Sequence, residues 1–278
     1  MTDSNSKKSN NIWIFRALLK GHNASSLRVG GFILFGVSIL FSSFANLTFK
    51  LTPSSAILFS LGGTIPRIID SLSLSLQMLP ILIALLIWGK YLNNELCFRC
   101  QLILPRCKSV SVWYVSLLAG MGVFCASFSI VGLIASGFGG LFVQEILYRV
   151  GIINPIFCIP LTEYVGSKMP LEGISNILCV FGLFFLRLLI LLLVQFETWL
   201  ISAKANVSLI TTLLFAAISM FFPEIFLLPI GGTMFFGRLN QNGGFVIGLT
   251  CAIIYLLLLG LAGWIYCKKT DWLMRFDH

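Results

Sequence analysis

Six apolar runs decide what this chain can fold into: approximately 30–49, 72–89, 113–136, 174–195, 205–222 and 244–266. A helix needs about 20 apolar residues to cross roughly 30 Å of hydrocarbon, and each run is near that length. Only 29 of the 278 residues are charged, 19 Lys and Arg plus 10 Asp and Glu. That is too few to cover the surface of a soluble fold of this size, so a soluble enzyme is excluded. The sequence predicts an all-α integral membrane protein with six transmembrane helices in a single domain over 1–278. Within it, 1–29 leads in, 30–266 holds the spans and 267–278 trails. Phe and Trp, 25 and 6 in number, supply the rings expected against lipid and at the headgroups.

The net charge of +9 has a topological cause. Basic residues flank the runs, where they set orientation, so no nucleic-acid partner is expected. Lys7, Lys8, Arg16, Lys20, Arg28, Lys90, Arg99, Arg106, Lys108, Lys204, Lys268, Lys269 and Arg275 fall on one side, thirteen in all. Lys50, Arg67, Arg149, Lys168 and Arg238 make five on the other. Positive charge stays inside, which predicts that both termini are cytoplasmic. No small-residue cleavage site follows the polar opening MTDSNSKKS, so the first span is expected to remain.

Before that span, Asn11 to His22 (NIWIFRALLKGH) sets Arg16 and Lys20 four apart, on one face of an amphipathic helix. It is expected on the cytoplasmic leaflet, bound to lipid headgroups, with docking to a protein as the alternative. The outer segments 50–71 and 137–173 are apolar for loops, and stretches such as Leu141 to Ile153 predict interfacial or re-entrant helices. The segment with Pro223, Pro229 and Arg238 has the same character.

Several chemistries lack their residues. The histidines are His22 and His278 only, and Asp3, Asp70, Asp271 and Asp277 lie outside the predicted spans, so no protease dyad, triad or zinc site can be assembled in the membrane. No phosphate-cradling G-x-x-x-x-G-K-[ST] run is present, and no catalytic or cofactor residue is expected. Ion-coupled transport uses carboxylates within the spans, and these boundaries leave none there; Glu145 and Glu224 come nearest. Cys97, Cys100 and Cys107 share a cytoplasmic loop, but without a fourth ligand they predict reduced thiols rather than zinc.

Arg187 is the one charge well inside a predicted span. Either it makes a polar contact between helices or along a transport path, or it snorkels to the cytoplasmic headgroups. Glu197, ten residues on, is roughly 15 Å away along a helix and out of easy reach.

The loop between the second and third spans carries Glu95, Arg99, Pro105-Arg106 and Ser109 within GKYLNNELCFRCQLILPRCKSVSVWYVSLL. By residue type alone this is a solvated, positive-inside loop. In pattern it resembles the membrane subunits of type-2 ABC (ATP-binding cassette) exporters, especially small permeases that accompany bacteriocin and lantibiotic immunity transporters. The acidic Glu95, the apolar stretch to Pro105-Arg106 and the Ser-containing entry at Ser109 to Trp113 carry the likeness. The amphipathic lead-in, the Pro229 to Arg238 segment and the Lys268, Lys269, Asp271 tail add to it. The resemblance implies a loop helix that couples to a cytoplasmic ABC ATPase, which binds the ATP, and a second permease copy or similar permease as partner. It also implies a bacterial cytoplasmic membrane and export of an amphipathic peptide or another membrane-partitioned compound. A non-transporting immunity or accessory protein and an ion-coupled secondary transporter are the rivals.

Overall fold

The computed structural model describes residues 30–37, 39, 49–50, 57–58, 60–61, 71–94, 109–150, 159–160, 174–221 and 244–269. Six helices carry the architecture: α1 (30–37), α2 (Ser71–Asn94), α3 (Val110–Arg149), α4 (Ile174–Ser202), α5 (Ala205–Phe221) and α6 (Gly244–Lys269). Residues 57–58 and 60–61 are helical as well. The remaining paired element is a two-residue parallel bridge, Phe49 against Ile159 and Lys50 against Pro160, which ties the segment after the first predicted span to the one after α3.

Among the described residues, three helices are long and apolar enough to cross a membrane: Val110–Val143, Ile174–Ser202 and Val246–Lys269. Met78–Asn93 and Ala205–Ser219 are shorter apolar helices. Leucine, isoleucine and phenylalanine surround these helices, so outward faces such as Val246, Ile253, Leu257 and Leu261 on α6 remain exposed. Water would penalise that surface, whereas lipid matches it.

At the centre lies α4, packed against α2, α3, α5 and α6. Its buried residues recur around the helix, from Val180 and Phe184 through Leu188, Leu191 and Leu192 to Phe196 and Trp199, as befits an element enclosed on most sides. Helix α6 also touches α3, and α2 touches α5. Close approach elsewhere depends on glycine: a Cβ on Gly30 of α1 would fall 2.7 Å from Ile87 Cδ1 of α2, and one on Gly137 of α3 would meet Ile57.

Two boundaries differ from the sequence expectation. Leu141 to Arg149 is not a separate interfacial helix but the last part of the 40-residue α3. No proline interrupts the run from Val110, and Glu145 and Arg149 pair across one turn at 2.7 Å on its exposed surface. Helix α4 continues past residue 195 to Ser202, which carries Glu197 into a membrane-length helix. The N-terminal amphipathic segment, the loop residues Glu95, Arg99, Pro105 and Arg106, Cys97, Cys100, Cys107 and Cys158, the Pro223 to Arg238 segment and the tail after Lys269 lie outside the described residues.

Candidate functional site

Polar side chains on α4 form a ladder through an otherwise apolar bundle. Arg187 sits one residue before the helix midpoint and is 2% exposed, so its charge does not snorkel to water. Its Nη2 donates to the Leu61 carbonyl oxygen at 3.0 Å, and its guanidinium carbon lies 5.1 Å from the centre of the Phe184 ring. A charge-assisted hydrogen bond and a desolvated cation–π contact each offset part of the cost of burial, by roughly 2 kcal/mol apiece. Arg187 Nε and Nη1 have no hydrogen-bond partner among the described residues. The contact also locates Leu61: its carbonyl reaches the middle of α4, and its side chain packs near Gly132 of α3.

Two turns further on, Gln195 Nε2 donates to the Leu85 carbonyl of α2 at 3.1 Å. Gly89, one turn beyond Leu85, leaves the room: a Cβ there would lie 2.9 Å from that amide nitrogen. Ser208 of α5 donates to the Gln195 carbonyl, and Thr198 Oγ1 lies 3.2 Å from Ser208 Oγ. These bonds pin both neighbouring helices to α4.

Glu197 completes the ladder. Tyr114 of α3 places its hydroxyl 2.8 Å from Glu197 Oε1 and 3.1 Å from the Gly260 carbonyl oxygen of α6. The Tyr114 ring is fixed by stacking on Phe196, with centroids 5.7 Å apart. Gly263 closes the other side, since a Cβ on it would collide with both carboxylate oxygens of Glu197. Three helices therefore meet at one carboxyl group. Nearby Lys268 does not serve it as a counter-ion; its ammonium lies 3.8 Å from the centre of the Trp264 ring.

Of the residues expected from sequence to matter, Ser109 and Arg187 are described. Ser109 begins α3: its carbonyl accepts the Val112 N–H at 3.1 Å and its hydroxyl lies 3.4 Å from the same nitrogen. That is the N-cap arrangement. From sequence Glu197 was weighed only as a partner for Arg187 and set aside as out of reach, and Tyr114 and Gly263 were not singled out. The available signal was Trp199, Leu200 and Ile201, apolar residues beyond Glu197 that keep it inside a helix rather than at its end.

Among the described residues no group of three His, Cys, Asp or Glu could hold a metal. Fold and site together define a helical, multi-pass membrane protein. The chain matches no family model, no curated protein and no solved structure in the comparisons made with each.

Proposed function

We propose that the chain is the permease half of an ABC exporter of a bacterial cytoplasmic membrane, with six spans and both termini cytoplasmic. Two copies, or this chain and a similar permease, form the pathway, and separate cytoplasmic ATPase subunits supply the energy. The observation that supports this reading is the junction at Ser109, where the Glu95 to Ser109 stretch ends in sequence. Ser109 caps the start of α3, and Tyr114, five residues after Ser109, is bonded to α4 and α6. A displacement of the loop would thus be felt by three helices. The cargo is an amphipathic peptide or other membrane-partitioned compound, because the bundle offers apolar surface with few polar groups to select a hydrophilic solute. Glu197, a carboxylate on a membrane-length helix, is the observation that favours ion-coupled transport as a second reading.

The test pairs co-purification of an ABC ATPase with export, for Glu95→Lys and Arg106→Glu beside Lys168→Glu as a charge reversal on the outer side. Rim charges govern association more than insertion, so both loop variants should lose ATPase and export at normal membrane abundance while the Lys168 variant keeps them. Normal ATPase binding in the loop variants would remove the coupling role. If no ATPase accompanies the wild type, the reading gives way to a stand-alone immunity protein; export that follows an imposed ion gradient instead selects the second reading.

A further inference from the structure

The Tyr114 hydroxyl has one hydrogen and two oxygen neighbours, Glu197 Oε1 at 2.8 Å and the Gly260 carbonyl at 3.1 Å. Both separations are hydrogen-bond lengths, and oxygens that close repel unless a hydrogen lies between them. One hydrogen can serve both oxygens only as a shared, weakened bond, and two full bonds need two hydrogens. A carboxylate and a carbonyl are acceptors only, so an ionised Glu197 leaves the site one full bond short, whereas a protonated carboxyl supplies the missing donor.

The surroundings agree with the neutral form. No cation among the described residues pairs with Glu197, and the titratable groups that face it are Tyr114 from α3 and Cys267 from α6. The α5 stretch contains no titratable residue. Gly263 faces the carboxyl so closely that a Cβ there would collide with both of its oxygens.

We propose that Glu197 is a proton-binding site whose proton completes a relay, from Glu197 O–H to Tyr114 Oη and from Tyr114 O–H to the Gly260 carbonyl, that latches α6 to α3 and α4. When the proton leaves for solvent, the Tyr114 hydrogen turns to the new carboxylate. The hydrogen bond to the Gly260 carbonyl is then lost, and α6, left with its packing against α3 and α4, is held less firmly. Proton occupancy at one residue therefore sets the attachment of a helix whose outer face is largely exposed. The latch goes beyond the exporter reading and does not depend on an ATPase.

The experiment uses the full chain alone in phosphatidylcholine vesicles. Its infrared spectrum at neutral pH should contain the carbonyl stretch of a protonated carboxylic acid, shifted in D2O, lost in Glu197→Gln and bleached as the medium becomes alkaline. A wild-type spectrum without that band overturns the proposal. Should the Gln variant not fold, Glu197→Asp makes the assignment, and a band that does not move in it belongs to another residue and overturns the proposal equally. The latch is read by amide exchange along α6 at one alkaline pH. Glu197→Gln, whose amide donates to Tyr114 as the acid does, should exchange several-fold more slowly than wild type; equal rates overturn the latch even where the band is present. Because no ATPase is present, the outcome is independent of the exporter reading.

Discussion

Gly260 and Gly263 occupy the same helix three residues apart, yet the room around them differs. Among the described residues, nothing beyond its own stretch of helix backbone lies within 4 Å of where a Cβ on Gly260 would stand, while a Cβ on Gly263 would strike both Glu197 oxygens. Replacing Gly263 with Ala should therefore displace the carboxyl from Tyr114 and destabilise the bundle by about 1–3 kcal/mol through overpacking. Gly260→Ala keeps the carbonyl that Tyr114 approaches and gains up to about 1 kcal/mol of helix propensity. Thermal unfolding of the two variants in detergent provides the comparison: a lowered midpoint for Gly263→Ala alone is the expected result, and equal midpoints would mean that Glu197 is not held against α6. Arg187 was legible in the sequence because a lone charge in an apolar run stands out. Its partner, the Leu61 carbonyl, was not, since backbone acceptors carry no sequence label and this one lies 126 positions away. The same holds for Glu197 and Tyr114, separated by 83 positions.

The helices themselves were easier to read than their ends. Run length foretold α2, α4, α5 and α6 within a few residues at most termini, because an uncharged stretch of membrane length has few alternatives to a helix. Where a charge ended a predicted run too early, as at Glu197, tertiary pairing had removed the reason to stop. The α4–α5 connection shows a different local constraint. Ala203 has φ 55°, a left-handed conformation, and donates its N–H to the Trp199 carbonyl at 2.8 Å before Lys204 leads into α5. Left-handed backbone costs a residue with a Cβ roughly 1–2 kcal/mol, and glycine escapes that cost. Part of the gain is offset by the greater freedom of glycine in the unfolded chain, so Ala203→Gly should stabilise by up to about 1 kcal/mol. A rise of roughly 2–4 °C in the melting midpoint is expected for a chain of this size, with Lys204→Gly, at a position without positive φ, giving none. A lowered midpoint for Ala203→Gly would show that the turn is not strained.

At the scale of the whole molecule, contacts between helices decide which ends lie together. Leu85 in the C-terminal half of α2 meets Gln195, and Tyr114 at the start of α3 meets Glu197 and Gly260, late in α4 and α6. The end of the bundle that holds Lys90, Ser109, Lys204, Lys268 and Lys269 is therefore one end, and Arg149, at the far terminus of α3, is at the other. Trp88, Trp113 and Trp199 are buried at the lysine-bearing end, where they pack the core, and Trp264 beside them is partly exposed. One end thus carries the described lysines Lys90, Lys204, Lys268 and Lys269, which the positive-inside rule assigns to the cytoplasm. Lys204 and Arg149 are both exposed and make convenient reporters, and the surface ion pair that Arg149 forms with Glu145 is worth little, about 0.3–0.5 kcal/mol. In a cysteine-free background, Lys204→Cys should react with an impermeant maleimide only in inverted vesicles, and Arg149→Cys only in intact cells. The reverse pattern would place the lysine-bearing end outside, where an ATPase driven by cytoplasmic ATP could not reach the loop that precedes Ser109. Labelling of both from the same face would break the end-to-end assignment on which the Tyr114 link between that loop, α4 and α6 rests.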